Sequence, residues 1–380
     1  MSIQPFDRSG LGERERERIR RCPPLSNNYP STFCTSSRPG RANVGGFMRA
    51  VARGRTMSDG TTVLLHHSVT GVFGDELGEE LHSRLESSLP AEVAIETSNT
   101  PTRTERAIGD ADAVLTIRDV SGLLDDAPDL RWVQTLNAGV DSYDLDRLDD
   151  RNVVVTNGSG VAARPIAEQV LGYAFVFERR IHRGIRQQER NGVWERYAGG
   201  ELGGKTVGVV GVGAIGTEVA ELATALDMEV VGTKRDPDTA PDVVDEVYPP
   251  EGLDRVLERA DYLVLSCPLV ESTRGLIGSR ELMAMKSEAV LINVARGGVV
   301  DQPALETALQ QGRIRGAALD VFEEEPLPAD SVLWELSNVV VTPHMAGSTP
   351  RYAERIAALF ADNYERFAAG KLDELENRVL

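Results

Sequence analysis

The sequence predicts an α/β protein built from two doubly wound parallel-sheet domains. Three observations carry that expectation. A β-branched run, Thr206 to Val210, ends in Gly211-Val212-Gly213-Ala214-Ile215-Gly216, and a helical face of Ile215, Val219, Leu222, Ala223 and Leu226 follows. From residue 57 to residue 342, short apolar runs alternate with helical patterns, as in a parallel sheet covered by helices. A length of 380 residues usually makes two domains or more.

The leader differs from the rest. Residues 1–56 carry eleven Arg and four acidic residues, a charge of +7, and show no periodic apolar face. The remainder carries 30 basic and 55 acidic residues, −25, which gives the net −18. Arg20-Arg21 precedes no apolar stretch, so a twin-arginine signal is not expected. Composition changes abruptly at Met57. We expect residues 1–56 to be a misplaced leader or a disordered basic tail, with Met57 as the true start. Lysine is nearly absent, at four against 37 Arg. An acidic, lysine-poor surface argues against nucleic-acid binding and suits a protein made for high salt. The longest apolar candidate, Val170 to Phe177, is far shorter than a membrane span and is flanked by Glu168 and Glu178-Arg179-Arg180. Cys22, Cys34 and Cys267 make no disulfide framework or metal spacing, and the chain reads as cytoplasmic with no metal.

The elements then run in order. Thr62–His66, Val93–Ile95, Ala113–Ile117, Trp132–Leu136 and Val153–Thr156 read as short buried strands, with a helix over Leu77 to Leu85. This first domain covers 57–160. Arg164-Pro165 opens a helix to about Ile181, proline being tolerated in a first turn, and 161–183 is expected between the two bodies. The charged stretch Ile181 to Tyr197, with Trp194, reads either as a subunit-contact arm or as a solvated helix. The second domain, 184–342, has six predicted strands: Thr206–Val210, Glu229–Gly232, Tyr262–Ser266, Ala289–Asn293, Gly316–Asp320 and Asn338–Thr342. The amphipathic stretch Pro350 to Leu372 is expected to return to the first domain, so that 343–380 belongs there.

The glycine turn suits a dinucleotide. Gly211 permits the tight turn, Gly213 leaves room for a pyrophosphate, and Gly216 lets helix and strand approach. The free N–H groups at the helix start then face the anion. Ligands in such sheets bind beyond the carboxyl ends of the strands. There the sequence delivers Arg296 after the fourth strand, Asp320 to Glu325 after the fifth and His344 after the sixth. Hydride addition to a carbonyl leaves an oxygen that needs a proton, which a histidine can supply near neutrality. A carboxylate against the imidazole orients it and raises its pKa. An arginine can hold a substrate carboxylate and polarise the carbonyl. Gly297-Gly298 would leave bare backbone to admit a ligand. His66, His67, His82 and His182 read as structural.

From Met57 onward the sequence resembles the D-isomer-specific 2-hydroxyacid dehydrogenase family, through LGGKTVGVVGVGAIG, CPLVESTRGLIG, MKSEAVLINVARGGVVDQPAL, GAALDVFEEEPLP and NVVVTPHMAGST. The resemblance implies a Rossmann-type cofactor domain inserted in a flavodoxin-like substrate domain. It implies reduction of 2-oxoacids to (R)-2-hydroxyacids and a homodimer. It assigns Arg296 to substrate, His344 to acid/base work, and Glu325, among three consecutive glutamates, as the partner of His344. It places Asp320 at the nicotinamide and the backbone of Ala138, Gly139 and Val140, in LNAGVDSYDL, at the substrate carboxylate. The residues expected at the cofactor are Gly211, Gly213, Ala214, Ile215, Gly216, Lys234, Arg235, Cys267, Pro268, Ala295 and Asp320. Lys234 stands where NAD-using members often carry an acid, so NADP(H) is the expected preference; Asp236 leaves NAD(H) open. Cys267 replaces a histidine of many relatives. The contrasting expectation is a nucleotide-sensing interaction protein on the same scaffold, resembling C-terminal-binding corepressors.

Overall fold

The computed structural model of the protein describes residues 60–189 and 192–380. The expectations for residues 1–56, for Met57 and for Cys22 and Cys34 lie outside the described residues.

In chain order the first elements are β1 (Thr62–Leu65), α1 (His67–Phe73), α2 (Asp75–Ser88), β2 (Ala94–Thr97), α3 (Pro101–Ala107), β3 (Ala113–Thr116), β4 (Trp132–Thr135), α4 (Leu145–Asp150) and β5 (Val154–Thr156). Two helices follow, α5 (Ala163–Glu178) and α6 (Ile181–Glu189). Then come β6 (Thr206–Val210), α7 (Ala214–Thr224), β7 (Glu229–Thr233), β8 (Glu246–Tyr248), α8 (Leu253–Arg259), β9 (Tyr262–Leu265), α9 (Ser279–Ala284), β10 (Val290–Asn293), α10 (Gln302–Gln310), β11 (Gly316–Leu319), β12 (Val339–Val341) and α11 (Tyr352–Ala368).

β1 to β5 form a parallel sheet in the order β2-β1-β3-β4-β5. β1, β3, β4 and β5 bury both faces, the reason they read as near-continuous buried runs. On one face Val63, Leu65, Leu115 and Trp132 pack with Leu81 and Leu85 of α2 and Ile356 and Phe360 of α11. The Trp132 and Phe360 rings stack with centroids 4.3 Å apart. On the other face Leu64, Val114, Val133 and Val155 meet Ile108, Leu124 and Leu148. β2 departs from the expectation of a buried strand. It is an edge strand paired only with β1, and its residues alternate between exposed and half-buried.

β6 to β12 form a second parallel sheet, in the order β12-β11-β10-β9-β6-β7-β8. Seven strands replace the six expected. β8 escaped notice because it has three residues at the sheet edge, none of them buried. Leu263 and Leu265 face a cluster with Val256, Leu282 and Leu305, whereas Tyr262 and Val264 face Phe177 of α5 and Val219 and Ala223 of α7. The order reverses between β6 and β9, as it does between β1 and β3 in the first sheet. This is the doubly wound arrangement in both sheets, Rossmann-like in the second.

The helix expected to reach Ile181 ends at Glu178. Arg180 adopts φ 53°, which reverses the chain before α6 begins. The Glu178 side chain turns inward, accepting a hydrogen bond from Tyr262 Oη and pairing with Arg315 at 3.3 Å. Beyond α6 the chain carries Trp194 almost wholly in solvent, at 93% exposure. The far end of the chain rejoins the first sheet through α11, and the Val379 N–H donates to Val155 O at 2.7 Å. No helix among the described residues is long and apolar enough to cross a membrane.

Candidate active site

The glycine turn follows β6 at the strand-order reversal. Gly211 has φ 96°, and a β-carbon there would stand 2.8 Å from Cys267 Cα, so the turn and the end of β9 are in direct contact. Gly213 faces open space, with nothing within 4 Å of its missing side chain. It also precedes α7 with no side-chain cap, so the first N–H groups of that helix stay unclaimed among the described residues. Gly216 packs against Gly211 O and Val209. Ala214 is exposed and Ile215 half-buried at the helix start. An open glycine and uncapped N–H groups fit a pyrophosphate.

Lys234 and Arg235 follow β7. Lys234 Nζ donates to Val212 O at 2.7 Å, which pins the ammonium beside the glycine turn, and Arg235 is exposed. Cys267 is buried, and burial pushes its thiol up to about 11, so it is an apolar wall of the turn at neutral pH. Pro268 beside it is exposed, and Ala295 is buried under the β10 turn.

Arg296 is delivered by a short turn after β10. Asn293 shapes it, accepting from Ala295 N–H at 3.1 Å and donating to Arg296 O at 3.1 Å. The guanidinium reaches the loop after β4. It lies over Gly139, where a β-carbon would be 2.2 Å from Nη2, and its Nε donates to Asp141 at 3.3 Å. Gly297 does not bare backbone for a ligand, contrary to the sequence expectation. A β-carbon there would sit 1.8 Å from the Phe322 carbonyl carbon, so its space is taken by the β11 loop. That close approach brings the Arg296 turn against the segment carrying Glu325.

His344 Nδ1 meets Glu325 Oε2 at 2.7 Å. Glu325 Oε1 accepts from Phe322 N–H at 3.0 Å, which fixes the carboxylate. Its hydrogen bond to the accepting Glu325 carboxylate raises the imidazole above its ordinary range; burial and Arg296 oppose this and the Glu325 and Asp320 charges reinforce it. Burial works to raise the Glu325 carboxyl, but its bonds to His344 and Phe322 outweigh that and the net shift is downward. His344 takes φ 50°, a conformation held by its N–H donating to Asp320 O at 2.8 Å. Asp320 is 2% exposed, and its carboxylate accepts from Thr342 Oγ1, from Met345 N–H at 3.0 Å and from Ala346 N–H at 2.9 Å. It therefore anchors the histidine turn from inside. Tyr173 of α5 extends this chain by hydrogen-bonding Thr342.

The loop after β4 is framed by amides. Asn137 Nδ2 donates to Ile117 O at 2.8 Å and Asn157 Nδ2 to Ala138 O at 2.9 Å. The N–H groups of Ala138, Gly139 and Val140 donate to no acceptor among the described residues. Asn137, Asp141, Asn293 and Thr342 escaped sequence reasoning. Each is a small polar residue whose role exists only through a partner, and three of the four partners are distant in sequence. The structure brings Arg296 to the Ala138–Val140 loop, Glu325 to His344, and Asp320 under His344.

Residues 171–346 match the family description "D-isomer specific 2-hydroxyacid dehydrogenase, NAD binding domain". A D-3-phosphoglycerate dehydrogenase of Methanocaldococcus jannaschii is 34% identical over 74% of this chain, which spans only 55% of that relative. A glyoxylate reductase of Thermofilum pendens is 37% identical, covering 72% of this chain and 83% of the relative. Among solved structures, a D-isomer specific 2-hydroxyacid dehydrogenase from Xanthobacter autotrophicus, in complex with NADPH and MES, superposes with TM-score 0.73 at 31% identity. That match covers 85% of this chain and 98% of the other.

Proposed function

Because the chain belongs to the D-isomer specific 2-hydroxyacid dehydrogenase family, we propose that it reduces 2-oxoacids to (R)-2-hydroxyacids with NADP(H) as the preferred cofactor and NAD(H) as the lesser one. The observation that carries this reading is the His344–Glu325 pair, 2.7 Å apart, in a site where Arg296 covers a loop with three unclaimed N–H groups.

The nicotinamide would supply or accept the hydride. Gly211, Gly213, Gly216 and the uncapped start of α7 would hold the pyrophosphate, with Ala214 and Ile215 at its edge. Lys234 and Arg235 would bind a 2′-phosphate; the Xanthobacter relative was solved with NADPH. Cys267, Pro268 and Ala295 would wall the ring, and Asp320 would hold both its amide and the histidine turn. The substrate carboxylate would take the N–H groups of Ala138, Gly139 and Val140, leaving the Arg296 guanidinium for the carboxylate and the carbonyl oxygen. His344 then donates its Nε2 proton to that oxygen while Glu325 holds the opposite nitrogen. In the oxidative direction the neutral imidazole takes the proton back.

We further assign the exposed Trp194 and α6 to a homodimer contact, and the acidic surface to high-salt solution. The test of function is NADPH absorbance on adding a panel of 2-oxoacids. Oxidation of NADPH by at least one short 2-oxoacid is expected. Binding of NADPH with no turnover on any of them would favour a nucleotide-sensing interaction protein instead.

A further inference from the structure

The first sheet has a second polar group at its carboxyl edge that the proposed reaction does not use. Its order reverses between β1 and β3, and such a reversal opens a crevice beyond the strand ends. His66 follows β1 and Arg118 follows β3. His66 is 3% exposed. Its Nδ1 accepts from Ser68 N–H at 3.1 Å and meets Ser68 Oγ at 2.8 Å. An Nδ1 that accepts a backbone N–H is unprotonated, so the ring carries its proton on Nε2. Burial, with His67 and Arg118 nearby, pushes the imidazole down to about 4, and the neutral form persists. Nε2 has no partner among the described residues, although no buried side-chain nitrogen or oxygen there lacks one. The atom is therefore a donor open to solvent on an otherwise enclosed side chain. The His67 ring packs on it, centroids 4.1 Å apart. Arg118 is exposed and forms no ion pair among the described residues.

This edge adjoins the proposed carboxylate loop. His66 N–H donates to Leu115 O of β3 at 3.0 Å, and the Arg118 segment is tied to the loop through Asn137 and Ile117 O. Only β3 separates β1 from β4, so the two strand ends stand roughly 10 Å apart. A tail running from a carboxylate held at Ala138–Val140 toward β1 would meet this edge.

We propose that His66 reads the far end of the substrate, its Nε2–H donating to a hydrogen-bond acceptor on the tail of a short 2-oxoacid, with Arg118 alongside. The inference rests on the dehydrogenase reading above. A site built to hydrogen-bond a substrate group discriminates against the analogue that lacks it.

The test compares 3-hydroxy-2-oxopropanoate with 2-oxobutanoate, which carry a hydroxyl and a methyl at the same place, and adds a carboxylate-tailed 2-oxoacid. The expected kcat/KM favours an acceptor-bearing tail by about tenfold or more. His66→Asn retains an acceptor for Ser68 N–H and lacks the distal donor, and it is expected to abolish that preference. Arg118→Gln is expected to lower only the carboxylate-tailed acid. A preference that survives His66→Asn, or equal losses on all three acids, would overturn the proposal. Calorimetric titration of 2,3-dihydroxypropanoate against 2-hydroxybutanoate, with NADPH present, reads the same discrimination without turnover. Selective binding without any turnover would defeat the dehydrogenase reading and leave the subsite standing; turnover with unselective binding would do the reverse.

Discussion

The Arg296 guanidinium rests on the backbone of Gly139, so close that a β-carbon at Gly139 would fall 2.2 Å from Nη2. The two residues lie in loops of different sheets, and their contact is where the loop after β4 meets the β10 turn. Gly139→Ala would displace the flexible end of the arginine rather than backbone. We expect Tm to be unchanged and kcat/KM for 2-oxoacids to fall by about ten- to a hundredfold, mainly through KM. Steady-state kinetics beside a thermal melt checks this; intact kinetics would remove Arg296 from substrate binding.

Glu325 raises the pKa of His344, so the sign of its effect on pH dependence is fixed. Reduction needs the imidazolium and is lost as pH rises through that raised value. In Glu325→Gln the loss should begin at lower pH, and kcat at the optimum should fall by about a hundredfold. A pH profile of kcat/KM whose alkaline limb does not move would show that the pair is not the proton donor.

Lys234 stands beside the glycine turn through its bond to Val212 O. Losing a charge-assisted bond to a 2′-phosphate costs about 1.5–3 kcal/mol. Lys234→Ala should therefore lower the NADPH/NADH ratio of kcat/KM by about tenfold or more. An unchanged ratio, or a wild-type preference for NADH, would count against the NADP(H) assignment.

The remainder of the chain beyond residue 56 carries −25, and salt screens such self-repulsion within about 10 Å at 0.1 M and about 3 Å at 1 M. Tm should rise steadily with KCl into the molar range. A protein as stable without salt would refute adaptation to brine.

Most strands of both sheets were legible because parallel strands bury both faces and read as apolar runs, though β2, read as buried, is a half-exposed edge. β8 was not, since three half-exposed residues at an edge leave no pattern. The end of α5 was hidden for a different reason: Arg180 at φ 53° has no composition signal, and Ile181 falls at helical spacing from Phe177. Arg296 and His344 stood out because they follow strand ends; Glu325 was singled out among three glutamates only by the family resemblance, and the structure sets it 2.7 Å from His344. The use of Gly297 was misread, because a bare glycine looks alike whether a ligand or the Phe322 backbone fills the space. Asn137 and Asn293 could not be found at all, being ordinary amides until the loops they bridge are folded.

Phe360 stacks on Trp132 and Val379 bonds Val155, so one face of the first sheet and its β5 edge are finished by residues made after the whole second sheet. During synthesis the first-made strands must wait, greasy side uncovered, while the whole glycine-turn body is translated and closes on itself. That interval is when a chaperone has most to shield. It also makes the nucleotide half the first part of the nascent chain able to capture its ligand.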